Sequence, residues 1–231
     1  MIDGTIKCWG DTGRNIRDKI PRASDKNFVQ ISCCESFCCA LDEFGIAHCF
    51  GDDTVDTPMK IITEKQDDPE EYDFYGEELQ DQALLDEENE PVQFRQISVG
   101  EQVVCGVLLN NNHIKCWGHH RRRRNSLPTD MEGPFRQVSV GTSGICAIYD
   151  DMGVESTSIG VDGEAEAMED LSSTLKCWGT AAIHTSNQTA GKKYDQVRVG
   201  NTGICAITQD YSVECYGLFR NLMPDGLIAT S

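Results

Sequence analysis

The sequence predicts an all-β protein built from repeated blades of about 40 residues, the architecture of a β-propeller. Three observations support this fold class. The string Ile-Lys-Cys-Trp-Gly begins at Ile6 and again at Ile114, and it recurs at Leu175 with leucine in first place. Short segments of strand length precede it in a fixed order, and turn residues separate those segments. A propeller or a similar β repeat is therefore expected over the single domain 1–231.

The repeat is longer than the five-residue string. A unit starts with an aromatic residue and a β-type segment, as in Phe-Arg-Gln-Ile-Ser-Val-Gly at 94–100, continues through a segment around Cys-Ala-Ile, and ends in Cys-aromatic-Gly. The end markers Cys8 and Cys49 lie 41 residues apart, and Cys177 and Cys215 lie 38 apart. Four full blades are predicted at 28–51, 94–118, 135–179 and 194–217, after a partial blade at 1–10.

The central segment of a unit is expected to be a strand covered on both faces. Val103–Leu109 is a continuous apolar run of strand length, as in strands packed between neighbouring layers. His113–Trp117 is its predicted hairpin partner, and the two are centred between Asn110 and Asn111, which suggests a two-residue turn. In the first unit the centre is Phe44, beside a glycine suited to a left-handed turn position.

The same register places cysteines opposite each other. Directly opposed strand residues have Cα atoms about 4.5–5.5 Å apart, which a disulfide can bridge. The alternative, structural zinc, uses cysteines about two to four residues apart, whereas these partners are ten or more apart. Disulfides are therefore preferred, and they indicate an oxidising compartment. The predicted pairs are Cys39–Cys49, Cys105–Cys116, Cys146–Cys177 and Cys205–Cys215.

Four of the twelve cysteines remain outside these pairs: Cys8, Cys33, Cys34 and Cys38. Cys8 holds the position of a second cysteine in a unit whose earlier strands would precede residue 1. The other three could form an extra bridge, for instance to Cys8, or bind a metal. The sequence leaves their pairing open.

The net charge of −18 is concentrated in two acidic inserts, 52–91 and 150–173. Residues 64–90 hold thirteen acids and one base, and residues 150–170 hold eight acids and no base, so the rest of the chain is nearly neutral. Solvated loops are the expected structure, with a short helix around 77–85 or a dedicated site for basic partners as alternatives.

Two surface features stand out from the repeat. Arg121, Arg122, Arg123 and Arg124 form a basic run after a Cys-Trp-Gly end marker, in a loop that could meet polyanions, a processing protease or the acidic insert, or simply be solvated. One basic run without interleaved aromatics does not predict nucleic-acid binding. Asn187-Gln188-Thr189 is a sequon, which makes Asn187 a candidate glycosylation site.

The sequence offers no catalytic constellation. It contains no Gly-x-Ser-x-Gly elbow and no glycine-rich phosphate loop. The five histidines share no metal-ligand spacing, and the acidic residues of 150–164 lack the calcium-loop pattern. Catalytic, cofactor and metal residues are therefore not predicted. No run of about 18 apolar residues is present to span a membrane.

The repeat resembles that of the superfamily of the regulator of chromosome condensation and beta-lactamase inhibitor protein II. The shared pattern is a β-rich start, a glycine, a Cys-Ala-Leu-like strand, a glycine-containing turn and Cys-Trp-Gly. It covers the chain apart from the two inserts. Units with two cysteines are similar to those of extracellular members, such as the ectodomains of crinkly-type plant receptor kinases and secreted bacterial repeat proteins.

The resemblance implies a non-enzymatic domain that binds another protein at one blade rim, in an extracellular or receptor-like protein. A nucleotide-exchange regulator of a small GTPase and a propeller-type enzyme inhibitor are the alternatives. Members of the superfamily usually close seven blades, so about four and a half blades suggest part of a longer protein. The tryptophans of the repeat are expected in the packing between blades, with a role at the rim as the alternative; they are Trp9, Trp117 and Trp178.

Overall fold

The fold was analysed in a computed structural model, which describes residues 4–9, 27–35, 37–51, 91–101, 103–118, 128–150, 174–185, 189, 191–217 and 228–229. Four sheets follow one another along the chain. Their strands are β1 (Phe28–Cys33), β2 (Phe37–Asp42) and β3 (Ala47–Gly51); β4 (Phe94–Val99), β5 (Val103–Leu108), β6 (Ile114–Gly118) and β7 (Asp130–Met131); β8 (Phe135–Gly141), β9 (Gly144–Tyr149) and β10 (Leu175–Gly179); and β11 (Tyr194–Val199), β12 (Gly203–Thr208), β13 (Val213–Gly217) and β14 (Ile228–Ala229).

Each sheet is an antiparallel meander of three strands, which we call its first, second and third strands in chain order. Two sheets have a fourth strand, β7 antiparallel to β6 and β14 parallel to β13. The predicted all-β propeller class is thus confirmed. The two short strands and one six-residue helix, α1 (Thr180–Thr185), were not predicted.

A β-bulge at the start of every first strand explains the spacing of its buried residues. In β4 the pairing with β5 shifts between Phe94 and Gln96, so that Arg95 is the extra residue. Side chains three apart in a regular strand would face opposite sides. The bulge turns Phe94 and Ile97 to the same buried side, where both are at most 1% exposed. The other three first strands shift at the equivalent position.

The apolar cores lie between consecutive sheets. In the first core, Phe37 and Leu41 of β2 pack against Phe94 and Ile97 of β4. In the next core Val107 meets Val138, and in the third Ile148 meets Val197. The second strands β5 and β9 have a sheet on either side and are buried over almost their whole length, as the continuous apolar runs predict. β2 is also buried throughout, with Ile6 packed against its Cys38 and Ala40.

The hairpin turns agree with the sequence in one sheet and differ in another. Gly45 adopts the left-handed conformation with φ 83°, as expected. The two-residue turn predicted at Asn110 and Asn111 is wrong, because Leu108 and His113 pair and leave a loop of four residues with Asn112 left-handed. The wider loop lets the Asn112 carbonyl accept a hydrogen bond from the amide of Phe135 in the next sheet, at 2.9 Å.

Several predictions lie outside the described residues. They concern the glycosylation site Asn187, the basic run 121–124 and nearly all of the inserts 52–91 and 150–173. These stay predictions.

Candidate functional site

The first strands of neighbouring sheets are joined by a glutamine and a serine. The Gln30 amide accepts a hydrogen bond from the Ile97 amide nitrogen at 3.0 Å and donates one to the Ile97 carbonyl at 3.0 Å. Two residues on, the Ser32 hydroxyl oxygen accepts a hydrogen bond from the Val99 amide nitrogen at 3.0 Å. Side chains of one sheet thus satisfy the open backbone edge of the next.

This Gln-x-Ser ladder occurs at three consecutive interfaces. Gln96 bonds the backbone of Val138 at 2.7 and 3.0 Å, and Ser98 accepts from the Val140 amide at 3.0 Å. Gln137 and Ser139 repeat the arrangement on Val197 and Val199. The fourth sheet carries Gln196 and, in place of serine, Arg198, and both side chains are exposed. The sequence shows this glutamine in every unit, yet its role is visible only once the sheets are stacked.

Five disulfides lie within the described residues. Four connect the second and third strands of a sheet: Cys39–Cys49, Cys105–Cys116, Cys146–Cys177 and Cys205–Cys215, with Cα atoms 4.0–4.1 Å apart. These are the four pairs derived above from the strand register. The fifth, Cys33–Cys38, joins β1 to β2 and answers the pairing that the sequence left open for those two residues. Cys8 is a half-buried free cysteine.

The tryptophans differ in their surroundings. Trp117 stacks on Phe94, with ring centroids 5.2 Å apart. Trp178 lies edge-on to Phe135 at 6.1 Å and carries the Lys176 ammonium 5.3 Å from its ring. Trp9 is 86% exposed, so the expected packing role does not hold for it within the described part of the chain.

The fourth sheet replaces this aromatic stack by a polar cluster. The Tyr194 and Tyr216 hydroxyl oxygens lie 3.0 and 2.5 Å from one oxygen of the Glu214 carboxylate and 2.6 Å from each other, so two hydroxyl hydrogens are shared among these three contacts. Lys192 donates a hydrogen bond to the other carboxylate oxygen at 2.7 Å. Burial and the hydrogen bond with Tyr216 raise the pKa of Tyr194 far above its ordinary value. Burial opposes ionisation of Glu214, but the hydrogen bonds from Lys192 and the two tyrosines outweigh it and hold the pKa of Glu214 below its ordinary value.

One end of the sheets carries exposed apolar side chains. We call this end, where each second strand turns into the third, the hairpin rim. Its tips include Phe44, Leu109 and Tyr211, which are 64%, 53% and 87% exposed. Three sheets therefore each hold one large apolar side chain out at the turn between the second and third strands.

Two ion pairs lie at the hairpin rim. Arg95 bonds the Asn112 side chain at 2.7 Å and lies 3.6 Å from the Asp150 carboxylate. In the next sheet Arg136 and Asp195 form an ion pair at 3.2 Å. These contacts bring charges of both signs together at this rim.

The opposite rim is polar at the loops between first and second strands. The Thr142 hydroxyl lies 2.9 Å from a carboxylate oxygen of Glu101 and 2.9 Å from the side-chain oxygen of Asn201. These contacts link the loops of the second, third and fourth sheets. The described loops of this opposite rim thus present polar side chains that bond one another.

The described residues contain no group of three or more His, Cys, Asp or Glu side chains that could hold a metal ion. In the same part of the chain, none of the helical structure reaches the length and apolarity needed to cross a membrane.

Comparison with known proteins places the fold. No protein-family model matches the chain. The CRINKLY WD40 ectodomain of the Arabidopsis thaliana receptor kinase ACR4 resembles it with a TM-score of 0.61 and 15% identity, over 98% of this chain and 67% of that one. The entire ectodomain of the Physcomitrella patens receptor kinase CR4 gives 0.61 and 16%, over 98% and 51%. Yeast RCC1 (Prp20), solved with Kap60, gives 0.48 and 14%, over 86% and 45%.

These likenesses define the class of protein as a β-propeller similar in fold to the two receptor-kinase ectodomains. At such low identity the likeness concerns the fold alone. The chain spans 67% and 51% of the two ectodomain structures.

Proposed function

We propose that the chain is a non-enzymatic β-propeller that binds another protein through its hairpin rim and belongs to an extracellular or receptor-like protein. The observation that carries the proposal is the exposure of Phe44, Leu109 and Tyr211 at equivalent hairpin tips. Aromatic residues are enriched at the centres of protein–protein interfaces, and polar residues usually surround these centres.

The extracellular part of the proposal is supported by the cysteines. Five bonded pairs within the described residues fit an oxidising compartment, since cytosolic thiols are kept reduced. Two predicted features belong to the same proposal. Asn187 would carry an N-linked glycan, and the basic run 121–124 would be a loop for processing or polyanion contact. Removal of N-glycans from secreted protein, followed by mass measurement at Asn187, tests the first.

Site-specific photo-crosslinking tests the binding surface. A photo-reactive phenylalanine analogue is placed at Phe44, Leu109 or Tyr211, and for comparison at Asn201 on the opposite rim. Each protein is then irradiated with the extracellular fraction of its source. We expect crosslinked products from the three hairpin-rim positions and not from Asn201. An excess of the protein without the photo-reactive analogue should reduce the amount of these products.

The competitor provides the matched control. A variant with Phe44→Ser, Leu109→Ser and Tyr211→Ser should retain its stability, because these side chains are exposed, but it should no longer compete. Equal competition by this variant, or equal crosslinking from Asn201, would contradict binding at the hairpin rim.

A further inference from the structure

The loops between the second and third strands carry acids and no bases. They span 43–46, 109–113, 150–174 and 209–212. The first contains Glu43, the fourth contains Asp210 and the third holds eight acids, while none of the four contains a lysine or an arginine. Each loop begins and ends at the hairpin rim, because second strands end there and third strands begin there. The acids of these loops are thus attached to the same end of the sheets as the exposed apolar tips.

At two of the tips, an exposed acid directly precedes an exposed aromatic residue. Glu43 precedes Phe44, and Asp210 precedes Tyr211. A carboxylate attracts a lysine or arginine side chain by its charge, and an aromatic ring attracts the same cation through its π face. Each of these two tips therefore offers a cationic side chain two kinds of attraction beside an apolar contact surface.

The turns hold both carboxylates through uncharged donors. Glu43 Oε1 accepts a hydrogen bond from the side-chain amide of Asn27 at 3.0 Å. Asp210 Oδ1 accepts one from the Thr208 hydroxyl and one from the Ser212 backbone amide, the latter at 3.3 Å. These bonds, with that from Thr208 as the largest cause, lower the pKa of Asp210 below its ordinary value. Such donors orient a carboxylate without cancelling its charge.

The described arginines at this end each face an acid. Arg95 lies 3.6 Å from the carboxylate of Asp150, the first acid of the third loop, and Arg136 lies 3.2 Å from that of Asp195. Lys193, whose carbonyl accepts a hydrogen bond from the Gln209 amide, adds one positive charge beside the fourth loop. Against it stand Glu43, Asp210 and the remaining acids of the third loop.

We propose that the hairpin rim binds a partner polypeptide through a surface that is both basic and apolar. Lysine or arginine side chains of the partner meet the acidic loops, and apolar side chains between them pack on Phe44, Leu109 and Tyr211. The inference rests on the proposed function, since it names the chemistry of the partner at the same rim. Complementary charge of this kind speeds association and disfavours partners of like charge.

Three synthetic peptides with a fluorescent label serve as probes, and fluorescence anisotropy with the full chain measures their binding. The first is a tandem repeat of Lys-Leu-Lys-Phe. The second has glutamate in place of every lysine, and the third has serine in place of every leucine and phenylalanine. We expect the first peptide to bind about tenfold more tightly than either of the others, because it alone matches both the charge and the apolar tips. Added salt should weaken its binding.

The double variant Glu43→Gln with Asp210→Asn tests the carboxylates of the tips. Each amide keeps the oxygen that accepts the hydrogen bonds described above, so the turns should be retained. The affinity for the first peptide should fall about fivefold and should depend less on salt. The matched control is Glu35→Gln with Glu101→Gln, which removes two exposed acids from loops of the opposite rim. It should change the affinity by less than about twofold.

Two results would overturn the proposal and still leave protein binding at the hairpin rim in place. One is equal affinity for the lysine and glutamate peptides, with both lost in the variant that carries serine at Phe44, Leu109 and Tyr211. The other is an unchanged affinity for the first peptide in the Glu43 and Asp210 variant, which would mean that the tip carboxylates take no part.

Two further results would place another occupant or another site in the account. A dimer of the chain in analytical ultracentrifugation that the triple serine variant abolishes would show a second copy at the rim, against the proposal. Undiminished binding of the first peptide to that variant would place the peptide away from the apolar tips, also against it. Failure of the proposed function is seen separately, as crosslinking from Asn201 equal to that from the hairpin rim.

Discussion

The side-chain amide of Gln30 and the backbone of Ile97 bond each other in both directions, at 3.0 Å each, across the interface of the first two sheets. Ile97 lies on an edge of its sheet that no neighbouring strand pairs within the described residues. The side chain of one glutamine thus forms the backbone hydrogen bonds that a neighbouring strand would otherwise form along this edge. The ladder sets the register in which one sheet stacks on the next. The apolar side chains between the sheets supply most of the buried surface.

Substitution of Gln96 by alanine tests the contribution of the ladder to stability. The change leaves the amide and carbonyl of Val138 without their partners at a largely buried interface, so the free energy of unfolding should fall by about 1–3 kcal/mol. Chemical denaturation measures it. The matched control is Gln196→Ala in the fourth sheet, where the side chain is exposed. A loss of similar size in both variants would show that the ladder does not explain the effect.

Gly106 gives a prediction that sequence comparison between the units would miss. The equivalent residues, Ala40, Ala147 and Ala206, suggest that Gly106→Ala should be harmless or stabilising. However, a Cβ at Gly106 would lie against the Phe94 ring, 2.8 Å from Cε1, and that ring is buried and stacked on Trp117. We expect Gly106→Ala to destabilise the protein by about 1–3 kcal/mol. An unchanged or raised melting temperature would contradict the packing described here.

The disulfides should differ in their contribution according to loop length. Cys146–Cys177 closes a separation of 31 residues and Cys33–Cys38 one of 5. In the chain-entropy account, replacing the first pair by alanine should cost about 1–2 kcal/mol more than replacing the second. Urea denaturation of the two double variants checks the order. The reverse order would mean that local contacts, rather than loop closure, decide the contribution.

The cluster around Glu214 predicts a pH dependence. Because the pKa of Glu214 in the folded protein lies below its ordinary value of 4.5, its contribution is fully present above about pH 4.5 and is lost as the pH falls through the lowered pKa. At neutral pH, Glu214→Gln should destabilise the protein by about 1–3 kcal/mol through the loss of charge-assisted hydrogen bonds.

The difference in unfolding free energy between wild type and Glu214→Gln should narrow as the pH falls below 4.5. Denaturation at a series of pH values measures this difference. Glu132→Gln, at an exposed position, is the control and should track the wild type throughout. A difference that stays constant across the series would mean that the ionised carboxylate of Glu214 is not the stabilising species.

Much of the fold follows from the sequence because its signals are local and repeated. The opposition of Cys105 and Cys116 needs only a hairpin centre, and the burial of Val107 needs only a continuous apolar run. The turn itself was predicted too short, since the left-handed Asn112 serves a contact with Phe135 in another sheet. Contacts between sheets leave no local pattern.

The same distinction explains what was missed in the candidate site. The glutamine at the third position of every unit was visible, but its partner lies 42 to 67 residues away and became evident only from the stacking. Exposure of Phe44 and Tyr211 depends on where a turn projects, which the sequence pattern does not give. Trp9 shares its motif with Trp117 and still lies exposed.

A disulfide map of the unreduced protein, produced through a secretory host, tests the central claim most directly. The account predicts intact linked peptides for Cys39–Cys49, Cys105–Cys116, Cys146–Cys177 and Cys205–Cys215, together with Cys33–Cys38. Free alkylation of Cys105 and Cys116 in natively folded protein would contradict it. The proposed extracellular function would then lose its support, and the alternative hypothesis of an intracellular nucleotide-exchange regulator with reduced thiols would be favoured.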